Sequence, residues 1–369
     1  MPRSGRRSVL QIVGGLESYG AENFVSLLSR ELDRLGISVA ILTVRGELGN
    51  LGSVPVLSAQ RRSRWDLGFF ARMVRIIREQ KPTVVHTHGY HGKLWGRLAA
   101  RAAGVHNIVH TEHNSDLRGQ AVQRVVNRIL HRSTGAVVTF SEGLAARVAR
   151  EDNVPRDRIV VIPNGVALPE GSRGRTTLRV EPPLERGAKL ILHVGRLQKV
   201  KNQQLAVRVC RALRDLAPDQ HFYVLFAGAG EDEAALRALA ETLGVADRTR
   251  FLGYRSDVDE IMRRCSAVLV TSLNEAMPLT VLEAMYAGTP IVTTPWQGAR
   301  ELLEDGKLGC IAPNYDPKAI ASALTHWLAD REGTMRAADA AFAVVRSRFD
   351  IRLTARAHAA LYARFDVAS

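Results

Sequence analysis

The feature that most constrains the fold is an alternation running through the whole chain, in which short apolar runs are followed by stretches with helical amphipathic spacing. Strands are predicted at Val9–Val13, Ser38–Val44, Val54–Leu57, Thr83–His88, Asn107–His113, Ala136–Phe140 and Ile159–Ile162. Helical patterns fall between them at Ala21–Leu35, Asp66–Gln80, Gly92–Ala103, Gln120–Arg132 and Glu142–Glu151, with Gly36 and Gly104 where C-terminal caps belong. Strand and helix in alternation imply a largely parallel sheet covered by helices. The pattern breaks after Val166 in a stretch rich in glycine, proline and charge, then restarts with strands at Lys189–Val194, Phe222–Ala227, Arg250–Leu252, Ala267–Thr271, Pro290–Thr294 and Cys310–Ala312. The expectation is an α/β chain of two Rossmann-like domains: residues 1–168, a linker over 169–186, and 187–350.

Chemistry concentrates in TSLNEAMPLTVLEAMYAGTPIVTT, residues 271–294. A strand ends, a loop follows, and Pro278 suits the first turn of a helix, where a missing N–H costs nothing. The amides from about Leu279 to Val281 and the positive end of the helix dipole form an anion site beside the strand's carboxyl end. Glu283, four residues after Leu279 and three after Thr280, shares their helix face, and Glu275 lies in the loop ahead. Amides for a diphosphate with a carboxylate on either side suit a nucleotide-sugar; the competing reading is two solvated helix charges. HVGRLQKVKN adds Arg196 and Lys201, a cation pair able to neutralise a departing diphosphate, and VGGLESYGAEN places a small-residue turn after the first strand.

Charge is uneven. Of the net +14, residues 1–168 carry 24 basic against 13 acidic side chains, so the first half is the part that meets something anionic. In QRRSRWDLGFFARMVRIIR, Arg61, Arg62 and Arg64 stand beside Trp65, Phe69 and Phe70, and Arg124, Arg128 and Arg132 repeat at four-residue spacing. Such interleaving fits an interfacial segment on an anionic membrane, or equally aromatics turned into a core beneath solvated arginines. No run approaches the roughly 18 apolar residues of a membrane-spanning helix, and the N-terminal apolar run is too short for a signal peptide. A cytoplasmic protein, peripheral at the inner membrane face, is expected. Cys210, Cys265 and Cys310 lack metal or disulfide spacing.

Taken in order, YGAE at 19–22, the histidine of HTEHN at 113, VIPNGV at 161–166, HVGRLQKVKN at 193–202, FAGAGED at 226–232, FLGYRSDV at 251–258 and Glu275-x7-Glu283 resemble the family 4 glycosyltransferases of GT-B fold over nearly the whole chain. The resemblance implies a nucleotide-sugar donor, UDP before GDP, and a glycan or lipid-linked acceptor. It implies retention of anomeric configuration, no dedicated metal or other cofactor, and a final helix from about residue 351 to 369 returning to the first domain. By position, Gly20 would touch the donor diphosphate together with Arg196 and Lys201. Glu275 would hold the transferred sugar beside Ala276, Met277, Pro278, Leu279 and Thr280, and Glu283 the ribose. His113 would contact the sugar near the reacting carbon, and the backbone around Arg255 would face the base. One departure is Tyr19, where the family has the first of two glycines.

His86, His88, His91, His106, His110 and His113 cluster within 28 residues of chain, and His86 and His88 share a strand face. Imidazole is the commonest metal ligand, but the spacing matches no zinc pattern. The expectation is no metal, with His88 in the cleft wall. Two other readings fit parts of the chain: a nucleotide-sugar 2-epimerase of the same architecture, and a basic nucleic-acid-binding protein, for which no binding motif is present.

Overall fold

The computed structural model describes residues 7–16, 20–46, 49–63, 66, 68–89, 92–113, 128–168, 184–185 and 187–365. Tyr19, Arg64, Trp65, His91, Arg124 and most of the 169–186 linker lie outside them. The chain divides into two units, Met1–Ala167 with Phe349–Ser369, and Leu168–Arg348.

The first unit carries β1 (Ser8–Val13), β2 (Ser38–Thr43), β3 (Gly49–Leu51), β4 (Val54–Ser58), β5 (Val84–His88), β6 (Ile108–Thr111), β7 (Ala136–Thr139) and β8 (Ile159–Val161). Their order is β3-β4-β2-β1-β5-β6-β7-β8. Only β3, a short strand absent from the sequence prediction, runs antiparallel, against β4. The second unit holds β9 (Lys189–Val194), β10 (Phe222–Ala227), β11 (Thr249–Gly253), β12 (Ala267–Val270), β13 (Ile291–Thr293) and β14 (Cys310–Ile311), in the order β11-β10-β9-β12-β13-β14. Every pairing there is parallel. In both sheets the winding reverses once, between β1 and β5 and between β9 and β12. The loops leaving neighbouring strands diverge at such a reversal, which opens a crevice at the strands' carboxyl ends.

In the first unit, helix Gly20–Arg34 turns Phe24, Val25, Leu28 and Leu32 onto the sheet at helical spacing. Each fully buried apolar side chain contributes about 1.5–3 kcal/mol. The last helix, Ile351–Ala363, packs against it and buries His358 and Tyr362; the Asp350 side chain caps it by accepting from the Arg352 amide at 2.8 Å. A regular helix over Gly92–Ala103 is not what forms. Residues Gly92–Gly96 make a π-helical turn before helix Arg97–Ala102, because the chain passes so close to β1 that a Cβ at Gly92 would lie 2.7 Å from the Ile12 carbonyl oxygen.

The basic, aromatic stretch after residue 60 folds inward at Phe69. Phe69 is buried, the Arg61 guanidinium lies 4.6 Å from its ring centroid, and Arg72 donates to the Ala59 carbonyl at 2.8 Å and to Asp66 at 2.6 Å. Phe70 and Val74 instead line a shallow groove of about 540 Å³ with Arg75 and Arg78. No helix among the described residues is long and apolar enough to cross a membrane.

Candidate active site

Two loops meet where the second sheet reverses. One leaves β9 at Gly195 and runs through a 3-10 turn, Lys199–Lys201, to the left-handed Asn202 at φ 52° that opens helix Gln203–Leu216. It is locked to the loop after β10: the Leu197 amide donates to the Ala229 carbonyl at 3.1 Å, and a Cβ at Gly228 or Gly230 would fall 2.1 Å from the Gly195 oxygen or 2.2 Å from the Leu197 oxygen. The glycines of FAGAGED are therefore a demand of two backbones in contact. Gly230→Ala is expected to push these loops apart and cost roughly 1–3 kcal/mol of stability, visible as a lower melting temperature.

The second loop leaves β12. Thr271 Oγ1 lies 3.0 Å from the Lys201 carbonyl and 2.9 Å from that of Asn202, and His193 Nε2 is 3.0 Å from the same hydroxyl. The hydroxyl proton serves the carbonyls, so His193 donates from Nε2. Burial first, and then the Lys201 charge, bring the His193 pKa down to about 3, so the ring stays neutral. The Leu273 amide donates to the Val200 carbonyl at 3.0 Å and Thr294 Oγ1 to that of Ser272 at 2.9 Å, pinning the loop on both sides. Here Lys201 Nζ reaches Glu275 Oε1 at 2.6 Å, and Ser272 Oγ donates to the same oxygen at 2.7 Å. Oε2 makes no bond among the described residues, and the side chains of Lys201 and Glu275 keep 24% and 13% of their exposure, enough for a ligand to reach both.

Helix Leu279–Ala287 begins one residue later than predicted. Pro278 is its N-cap, with extended ψ 125°, and Gly288 closes it in the left-handed region at φ 68°. A proline brings no N–H, and the Val281 amide is taken by the Pro278 carbonyl at 3.1 Å, so the unpartnered amides among the described residues are those of Leu279 and Thr280. The expected span of free amides to Val281 is thus one residue too long. Val281, Leu282, Ala284 and Met285 are buried, while Leu279, Thr280 and Glu283 form the more open face. Among the described residues Glu283 has no cation partner; burial first, and Asp259 second, push its carboxyl up to about 7.

In the first unit, His113 stands just past β6 against Phe24 and Phe140, with ring centroids 5.5 and 5.2 Å away. Its Nε2 lies 3.0 Å from His88 Nδ1, and burial above all lowers its pKa to about 4.

The description Glycosyl transferases group 1 matches residues 174–343, and Glycosyltransferase Family 4 matches residues 19–169. A D-inositol 3-phosphate glycosyltransferase of Xylanimonas cellulosilytica is 32% identical over 71% of this chain and 67% of its own. The chain belongs to the family 4 glycosyltransferases. Another relative, the UDP-Gal:alpha-D-GlcNAc-diphosphoundecaprenol alpha-1,3-galactosyltransferase of Escherichia coli, is 26% identical over 75% of this chain and 74% of its own. Among solved structures, Anabaena Alr3699/HepE in complex with UDP-glucose superposes with a TM-score of 0.80 at 19% identity, covering 97% of this chain and 99% of that one; the shared fold is GT-B.

For this glycosyltransferase the structure joins Lys201, Glu275 and the Leu279–Thr280 amides in one unit; Ala276 and Met277 are buried beside them, and exposed Arg196 follows Gly195, its carbonyl held by Gln203 Nε2 at 2.8 Å. Arg255 follows β11, its guanidinium forked onto Asp257 at 2.8 and 2.6 Å. Gly20 opens the first helix of the other unit, in open space. His88 is a correction: it is fully buried behind His113, because its strand position faces the core, and it lines no wall. Among the described residues no three acidic, histidine or cysteine side chains are arranged around a metal position. The sequence reading missed His193, Thr271 and Ser272; the Thr-Ser pair ending a buried strand was the one available signal, since hydroxyls there meet the facing loop.

Proposed function

We propose that this glycosyltransferase moves a hexose from a UDP-sugar to a hydroxyl of a lipid-linked or polysaccharide acceptor, with retention of configuration. The observation that carries the reading is the Lys201–Glu275 pair held beside two unpartnered helix amides at the reversal of a parallel sheet. An ammonium and a carboxylate at contact distance suit the two ends of the bond to be broken. Lys201, Arg196 and the amides of Leu279 and Thr280 take the diphosphate, as would the backbone at Gly20. Glu275 accepts from the sugar hydroxyls, Glu283 from the ribose, and the backbone near Arg255 meets the base. His113 touches the sugar near the reacting carbon. The acceptor hydroxyl attacks on the face the nucleotide leaves, its proton passing to the departing phosphate oxygen, while the cations and helix dipole absorb the charge a metal would otherwise take.

The names of two neighbours support the finer choices: one structure holds UDP-glucose, and one relative acts with UDP-Gal on a diphosphoundecaprenol-linked sugar. A cytoplasmic enzyme, peripheral on an anionic membrane face, would use the basic first unit to approach such an acceptor. The deciding experiment is a thermal-shift comparison of UDP, GDP and their sugars, followed by NMR of the product's anomeric carbon. Stabilisation by UDP compounds and a product with the donor's configuration are expected; an inverted product refutes the mechanism, and a shift with GDP compounds alone refutes the choice of base.

Glu283 makes a pH prediction. Its folded pKa of about 7 lies above the ordinary 4.5. The proton it holds stabilises the folded form below pH 4.5, and that contribution is lost as pH rises through about 7. Glu283→Gln should therefore melt near the wild-type temperature at pH 5 but gain about 2 kcal/mol at pH 8, while binding UDP more weakly. Equal gains at both values would show that the carboxyl does not titrate as described.

A further inference from the structure

Behind His113 lies a chain of hydrogen bonds that the proposed function does not use. His113 Nε2 is 3.0 Å from His88 Nδ1, and His88 Nε2 is 2.6 Å from Gln11 Oε1. Gln11 stands on β1 and Tyr362 on the last helix, where the Tyr362 hydroxyl is 2.6 Å from His86 Nδ1. His86 Nε2 in turn lies 2.7 Å from Thr111 Oγ1, a separate row beside the first. Gln11, His86, His88 and Tyr362 are all fully buried.

The Gln11 oxygen faces His88, so His88 Nε2 carries hydrogen and donates. Neutral His88 then has a bare Nδ1, which accepts from His113 Nε2–H. Burial depresses the pKa of all three histidines, so none adds a proton that would break the order. His113 Nδ1 has no hydrogen-bond partner among the described residues, and the residue keeps part of its exposure.

We propose that Gln11 and His88 are positioning residues that fix the tautomer of His113, so that its Nδ1 is offered to the donor sugar as a hydrogen-bond acceptor. His113 then takes the hydrogen of a sugar hydroxyl and cannot give one. A sugar whose hydroxyl at that place is replaced by fluorine, an acceptor alone, is discriminated against. The inference rests on the reading of His113 as a contact of the donor sugar.

The test uses the full-length protein labelled with nitrogen-15 at histidine, with Gln11→Leu, which removes the acceptor, and Gln11→Glu, which keeps one. Long-range proton–nitrogen spectra, with His113 assigned by loss of its signals in His113→Asn, should show Nε2–H in the wild type and in Gln11→Glu, and a mixture of tautomers in Gln11→Leu. The slow hydrolysis of UDP-glucose, read as UDP released, should fall about tenfold in kcat/KM for Gln11→Leu and recover in Gln11→Glu, with the Kd for UDP unchanged in both. Nδ1–H at His113 in the wild type overturns the relay even if Gln11→Leu does not fold. A tautomer lost in Gln11→Leu with hydrolysis unmoved overturns the positioning role. Absence of UDP binding by the wild type strikes the proposed function instead, and leaves the spectra to judge the relay.

Discussion

Lys201→Met is expected to lower glycosyl transfer by about a hundred- to a thousandfold, the usual effect of deleting a preorganised charge at a transition state. The methionine keeps most of the stem that packs along Gly195, where a Cβ would meet Lys201 Cε at 3.7 Å, so the change removes charge more than volume. Glu275→Gln should cost a similar factor, because the oxygen at 2.6 Å from the ammonium loses its charge and one acceptor position becomes a donor. The double variant should fall little below either single one, since each leaves its partner mispaired and the two act as a unit. Steady-state kinetics on the three variants read this directly. Multiplying losses would mean that the side chains act independently, and unchanged turnover in the double variant would remove both from the site.

Lys93→Met is expected to destabilise the protein by about 3–5 kcal/mol, the range for removing one member of a buried ion pair. Lys93 is hydrogen-bonded to Glu112 and lies 3.6 Å from Asp152, and the three side chains keep 7%, 5% and 0% of their exposure. Burial by itself would raise the Glu112 pKa; Lys93 and His110 outweigh it and hold the carboxyl well below its usual value. That depressed value makes the wild-type contribution present above about pH 4.5 and lost as pH falls through the lowered pKa. In Lys93→Met the stranded carboxylates can take protons instead, so the deficit should be largest at neutral pH and shrink towards pH 4. Denaturant unfolding at the two pH values measures it. Because Glu112 precedes His113, Lys93→Met should also lower turnover, and Lys93→Met with Glu112→Gln should recover part of the stability.

Much of this was legible in the sequence. Every strand except β3 falls within two residues of a predicted run, because a buried parallel strand must be apolar along its length whatever lies beside it. β3 was invisible since Gly49-Asn50-Leu51 is too short and too polar to stand out, and only its pairing with β4 makes it a strand. The helix after Pro278 and the shared face of Thr280 and Glu283 also follow from local periodicity. The basic aromatic segment shows the opposite case, since spacing placed Phe69 and Phe70 side by side but could not say that one faces the core and the other a groove.

By itself the sequence determined the two largely parallel sheets, because these depend on residue type and near-neighbour spacing. Tertiary structure alone decided that Lys201 touches Glu275, that His88 lies behind His113, that Gln11 reaches His88 and that Tyr362 reaches His86. Each of these is set by which strands become neighbours when a sheet reverses its winding, and by how much water remains around a charge once they do. Neither quantity is written in any local run of residues.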